Sequence, residues 1–152
     1  MKFDLFEFLK TGKFSDEIKI GVSKSVVIGA FGKPLNIVGN EESGAFYYYY
    51  YENGVRIHMS SGIVSEVGVD FSAFEYPFKS NNYEINEKQK IHQVLDLFDD
   101  LELNWVVYNV SDKSRLIVVT ESSVIVIFNL YHGTIEKITY LGIIKYSDII
   151  IH

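Results

Sequence analysis

Two β-forming runs, residues 46–51 and 55–60, are separated by little more than Asn53-Gly54, and no other feature constrains the chain as tightly. Asn-Gly favours the positive φ angles of a tight turn, so the runs read as adjacent antiparallel strands. Ser61-Gly62 then turns the chain into a third strand, residues 63–71. With Asn53-Gly54 as the loop, Glu52 opposes Val55, Tyr51 opposes Arg56, Tyr50 opposes Ile57 and Tyr49 opposes His58. Side chains alternate along a strand, so this register sorts them into two faces. Phe46, Tyr48 and Tyr50 join Val55, Ile57, Met59, Val67, Val69 and Phe71 on a core face. Tyr47, Tyr49 and Tyr51 join Arg56, His58, Ser60, Glu66 and Asp70 on the other.

Three strands need a cover for their apolar face. A helix predicted over 24–31, with Ser23 as N-cap and Gly32 and Pro34 as its stop, supplies it. Upstream, residues 3–9 carry apolar side chains at helical spacing and end at Gly12, residues 16–20 read as extended, and residues 35–44 read as an irregular loop. Downstream the order recurs. Asn86 is placed to cap a helix over 87–101, in which Ile91, Val94, Leu95 and Phe98 form an i, i+3, i+4, i+7 stripe. Extended runs follow at 105–110, 115–120, 124–130 and 134–141.

The expected fold is therefore α+β, one compact protein over 1–152 made of two diverged tandem units. Each is a helix packed on a three- to four-stranded antiparallel sheet, with repeats at about 13–72 and 87–142 and a connector at 73–86. Residues 23–71 and 87–141 carry the matching order. In the second unit, Ser122-Ser123 as the loop would turn Ile117, Val119, Val126 and Phe128 inward and Leu116, Val118, Ile125 and Ile127 outward. Both faces are apolar, so this sheet needs a second cover. The candidates are the C-terminal Ile143, Ile144, Ile149, Ile150 and Ile151, the other unit, or a second copy in a homodimer.

The residues offer little chemistry. The chain has no cysteine, and its four histidines (His58, His92, His132, His152) follow no metal-binding spacing. His58 beside Asp70 or Glu66 reads as structural rather than catalytic. Gly29 to Pro34 echoes a phosphate loop, but proline stands where a magnesium-binding Ser or Thr belongs. Asp96, Asp99, Asp100 and Glu102 are either paired carboxylates or a solvated helix face. Neither enzyme activity nor a cofactor is expected. A net charge of −6 disfavours nucleic acid and suits a basic protein partner. No stretch approaches the length of a membrane span, and an acidic start without an apolar leader points to the cytoplasm. Eleven tyrosines and eleven phenylalanines make the chain aromatic-rich, and the Tyr47, Tyr49, Tyr51, Arg56, His58 face has the composition of a protein interface. The other reading of that face is a surface covered by the protein's own loops.

Ile20-Gly21-Val22-Ser23, a short helix, Phe31-Gly32-Lys33-Pro34, a tyrosine-rich hairpin and Val67-Gly68-Val69-Asp70 together carry a resemblance over residues 20–71. The pattern resembles small immunity proteins of bacterial toxin systems, the SmpA/OmlA lipoproteins and the tandem-repeat β-lactamase inhibitor protein. The second half departs from it, with Phe98-Asp99-Asp100-Leu101 where a G-x-P would stand, and the chain lacks both a lipidated cysteine and disulfides. The resemblance implies a cytoplasmic bacterial protein that neutralises a toxin domain by direct occlusion. Contacts would come from Tyr47, Tyr49, Tyr51, Arg56, His58, Glu66 and Asp70, with Asp96, Asp99, Asp100 and Glu102. The alternative is a small-ligand-binding protein or enzyme using a groove between the repeats.

Overall fold

The computed structural model describes residues 3–50, 54–72, 77–80, 82–108 and 112–150. Tyr51 and Asn53, the 109–111 segment, Ile151 and His152 lie outside the described residues. The fold is α+β. Helix α1 (Leu5–Thr11) is capped by the Asp4 carboxylate, which accepts from the Phe6 and Glu7 N–H groups, and is stopped by Gly12 in the left-handed conformation. Then come α2 (Lys24–Phe31), β1 (Asn36–Asn40), β2 (Ala45–Tyr49), β3 (Val55–Ser60) and β4 (Ile63–Asp70). A two-stranded hairpin, β5 (Phe78–Ser80) and β6 (Tyr83–Ile85), leads to α3 (Ile91–Asp100). The chain ends with β7 (Trp105–Tyr108), β8 (Arg115–Thr120), β9 (Ile125–Asn129), β10 (Thr134–Tyr140) and α4 (Tyr146–Ile150).

The eight long strands form one antiparallel sheet in the order β1-β2-β3-β4-β10-β9-β8-β7. The two halves thus share a single sheet rather than holding one each, and β4 and β10 meet at its centre. One face is covered by α1, α2 and α3 around a continuous core that takes in Phe8, Val27, Tyr48, Ile57, Val67, Phe98, Phe128 and Ile138. Most of the aromatic content lies here, in ring contacts running from Phe3 to Phe14, Phe31 and Tyr50. Phe78 of the hairpin joins Phe3 to Phe71.

Several sequence expectations are corrected. Residues 36–40, read as a loop, form edge strand β1, and the connector contains β5 and β6. Residues 16–20 form no strand. Helix α3 begins at Ile91, not at 87, because its start is tied to the β9–β10 turn. Ile91 N–H donates to the Gly133 carbonyl, Lys90 Nζ to the His132 carbonyl, and Lys90 N–H to Gln93 Oε1.

The hairpin registers carry the functional consequence. Tyr49 pairs with Arg56, Tyr48 with Ile57 and Tyr47 with His58, a shift of two from the expected pairing. A shift of two keeps each side chain on its face, so the sorting of the tyrosines stands. In the second hairpin Val119 pairs with Ile125 and Val118 with Val126, a shift of one. The loop there has three residues, Glu121, Ser122 and Ser123, closed by Thr120 N–H on the Val124 carbonyl, with Ser123 at φ 67°. A shift of one swaps faces. Val118 and Leu116 point to the core, and Ile117 and Val119 to the second face, opposite to expectation; Val126 and Phe128 are inward as expected.

Candidate functional site

The face of the sheet away from α1, α2 and α3 carries the chemistry. Alternation along β2, β3 and β4 brings Tyr47, Tyr49, Arg56, His58, Glu66 and Asp70 to it, and β10 adds Lys137 and Thr139. At the centre is Arg56, only 5% exposed. Its cross-strand partner is Gly68, and the next residues of β4 on the same face are Glu66 and Asp70. The guanidinium is thus flanked by two carboxylates, with Nη2 2.5 Å from Glu66 Oε1 and Nη1 4.0 Å from Asp70 Oδ2. Lys137 Nζ lies 3.5 Å from the same Glu66 oxygen. Burying a guanidinium is costly unless its charge is paired, and these contacts pair it.

Aromatic rings complete the arrangement. The Arg56 guanidinium lies 4.7 Å from the Tyr47 ring centroid, and the His58 ring is 4.3 Å from that same ring. His58 Nδ1 is 2.5 Å from Ser65 Oγ, which orients the imidazole. Ser65 is free to turn toward His58 because it is the extra residue of a bulge in β4, between the pairs His58–Glu66 and Met59–Val64. Burial lowers the His58 pKa below the usual histidine range; Glu66 opposes this, and Arg56 and Lys137 add to it. Burial thus favours the neutral imidazole. Tyr49 is held up in pKa by burial, reinforced by Asp70 and opposed by its hydrogen bond with Arg56.

The outward tyrosine face is thus largely a packed one. Tyr49 is 7% exposed and Arg56 is buried, leaving Tyr47, His58, Glu66 and Asp70 as the partly accessible members. The acids of α3 do not join them. Val94 and Phe98 bury α3 in the core on the opposite side of the sheet, and Asp96, Asp99, Asp100 and Glu102 go with it. Asp99 accepts from Trp105 Nε1 at 3.0 Å. Glu102 sits just past the helix end at φ 59°, a capping position. Lys137, which sequence reasoning did not single out, enters only through the β4–β10 pairing, a contact between strands far apart in the chain.

The second face of the other half is apolar and buried at Val119 and Ile125, which stand outside the main core. The C-terminal tail serves the adjoining edge. α4 lies against β7, Tyr146 N–H donates to Ser123 Oγ at 3.0 Å, and Ile143, Ile144 and Ile149 share a groove with Val106 and Tyr108.

Among the described residues no group of histidines and carboxylates is placed to share a metal, and no helix is long and apolar enough to cross a membrane. Fold and site together define an α+β protein with an eight-stranded sheet, covered by helices on one face and bearing an ion-paired aromatic cluster on the other. Comparison of the chain with models of protein families, with curated proteins and with solved structures gives no match.

Proposed function

We propose that this chain is a cytoplasmic bacterial protein of the immunity type, which binds a toxin domain and neutralises it by occluding its active surface. The observation that carries the reading is the Tyr47 ring, in contact with both the Arg56 guanidinium and the His58 imidazole on the sheet face opposite α1, α2 and α3. Tyr and Arg are the residues most often found as interface anchors, and an anchor already fixed in place loses little entropy on binding. Glu66 and Asp70 beside it give the face acceptors for a partner's basic groups, and the net charge of −6 favours the approach of a basic protein.

The chain reads further as two diverged tandem units, and the hydrogen bonds support this. Lys24 N–H donates to the Gly62 carbonyl at the start of α2, and Ile91 N–H to the Gly133 carbonyl at the start of α3. Ser23 bridges to Ile63 and Lys90 to Thr134, the first residues of β4 and β10. Both strands bulge two residues later, at Ser65 and Glu136. On this reading Arg56 corresponds to Ile125, and Tyr49 to Val119. The first unit kept a polar cluster where the second became apolar.

The test takes the products of the genes that neighbour this one as candidate toxin domains, by titration calorimetry and inhibition of their activity. Tyr47→Ala with His58→Ala is expected to weaken binding by at least about thirtyfold, the loss typical of an interface hot spot. Asp96→Asn with Asp100→Asn is expected to leave it unchanged. The reverse pattern moves the binding surface to α3, and no binding by the unaltered chain removes the proposal.

A further inference from the structure

A second feature lies on the helix side of the sheet, where the two halves join. Val67 and Tyr140 are a cross-strand pair next to the central pair Gly68 and Thr139. With the segment after α1 they border a groove of about 520 Å³, the size of an ordinary small-molecule site. Its floor is apolar, from the buried Phe14, Ile18 and Val67. Lys13 and Lys19 are its charged lining residues, and no carboxylate lines it. In a chain of net charge −6 that is an unusual sign of charge. Among the described residues neither lysine makes an ion pair. Asp4, Glu7, Asp16 and Glu17 line an adjoining cavity that shares Thr11, Lys13, Phe14 and Ser15 with the groove but does not include Lys19.

We propose that this groove binds a small amphipathic carboxylate, with its alkyl chain on Phe14, Ile18 and Val67 and its headgroup at Lys19 and Lys13. An apolar floor alone takes any oily molecule; two cations that form no ion pair among the described residues select an anionic head. Lysine ammonium groups on flexible stems suit a single compact charge. The groove lies across the sheet from Tyr47 and His58, so the assignment stands or falls independently of the partner-binding face.

Titration calorimetry of the full chain with decanoate, decan-1-ol and decan-1-amine tests it. Decanoate is expected to bind about tenfold tighter than the alcohol, the effect of two partly exposed ion pairs, and the amine weakest. Lys13→Gln with Lys19→Gln is expected to erase that advantage while leaving decan-1-ol unaffected. Ile143 is 79% exposed at the rim, so Ile143→Glu folds normally and is expected to repel decanoate. Equal binding of acid and alcohol, insensitivity to the lysine changes, or no saturable decanoate binding below its micelle concentration overturns the proposal.

Discussion

Arg56 stands directly across the β3–β4 ladder from Gly68, the residue that also pairs with Thr139 at the join between the two halves. The absence of a side chain at Gly68 does two things. It leaves room on the second face between Glu66 and Asp70, where the Arg56 guanidinium is paired. It also lets β4 and β10 approach closely, since a Cβ there would come within 2.1 Å of the Ile138 carbonyl oxygen. Gly68→Ala is expected to force the central strands apart and to cost about 1–3 kcal/mol, the range for overpacking in a rigid interior. Urea unfolding measures it, and a cost near zero would show that the strand pair yields freely.

Removing Arg56 leaves the carboxylates of Glu66 and Asp70 close together, with Lys137 still beside Glu66. Arg56→Met is expected to destabilise by about 3 kcal/mol, because breaking a buried pair strands the remaining charge. Adding Glu66→Gln and Asp70→Asn is expected to recover at least half of that loss in the same unfolding assay. No recovery would mean that Arg56 acts through packing and not through its charge.

What the sequence made legible here was set by periodicity. Strand β8, helix α2 and the Val94 and Phe98 stripe follow from local pattern, and the core side of β2 and β3 survived a wrong loop length because the error was even. The odd error at Glu121-Ser122-Ser123 inverted β8, since nothing in its uniformly apolar side chains marks a face. β1 escaped notice because Asn and Gly disfavour strands, and β5 and β6 because three residues give no period. The burial of Arg56 was not legible, as it depends on Gly68 and on the pairing of β4 with β10, strands far apart in the chain.

His58 supplies a pH dependence with a definite sign. Its folded pKa lies below the unfolded value, chiefly through burial, so the unfolded chain binds the proton more readily. The stabilisation is complete above the unfolded pKa, about 6.5, and is lost as pH falls from there through the folded pKa. His58→Gln is expected to flatten the stability profile in the window below about pH 6.5. An unchanged slope in denaturant melts across that window would assign the acid sensitivity to other groups.

The tyrosines report the alkaline side. Burial raises the pKa of Tyr48, Tyr49 and Tyr50 above the free value, and the Tyr50 hydroxyl donates to the Gly32 carbonyl at 3.1 Å. Their neutral forms stabilise the fold up to the unfolded pKa of about 10, and that contribution is lost as pH climbs through the folded values. Ultraviolet titration is therefore expected to show a late group of tyrosines, above the free value of about 10, that ionises together with unfolding. A single smooth titration of all eleven would contradict the burial of β2.

Glu102 turns a suspected contact into a question of stability. It follows the last turn of α3 at φ 59°, while Leu103 N–H closes on the Phe98 carbonyl and Glu102 N–H on the Asp99 carbonyl. That is the position where helices prefer glycine, because a Cβ is strained in the left-handed conformation. Glu102→Gly relieves the strain and removes one charge from an acidic helix end, where the macrodipole already disfavours anions. The opposing effect is the greater entropy of glycine in the unfolded chain. The strain term is the larger, so a net gain of about 0.5–1 kcal/mol is expected in thermal melts. The same variant is expected to bind the toxin domain as the unaltered chain does. Weakened binding with raised stability would return Glu102, and with it α3, to the interface.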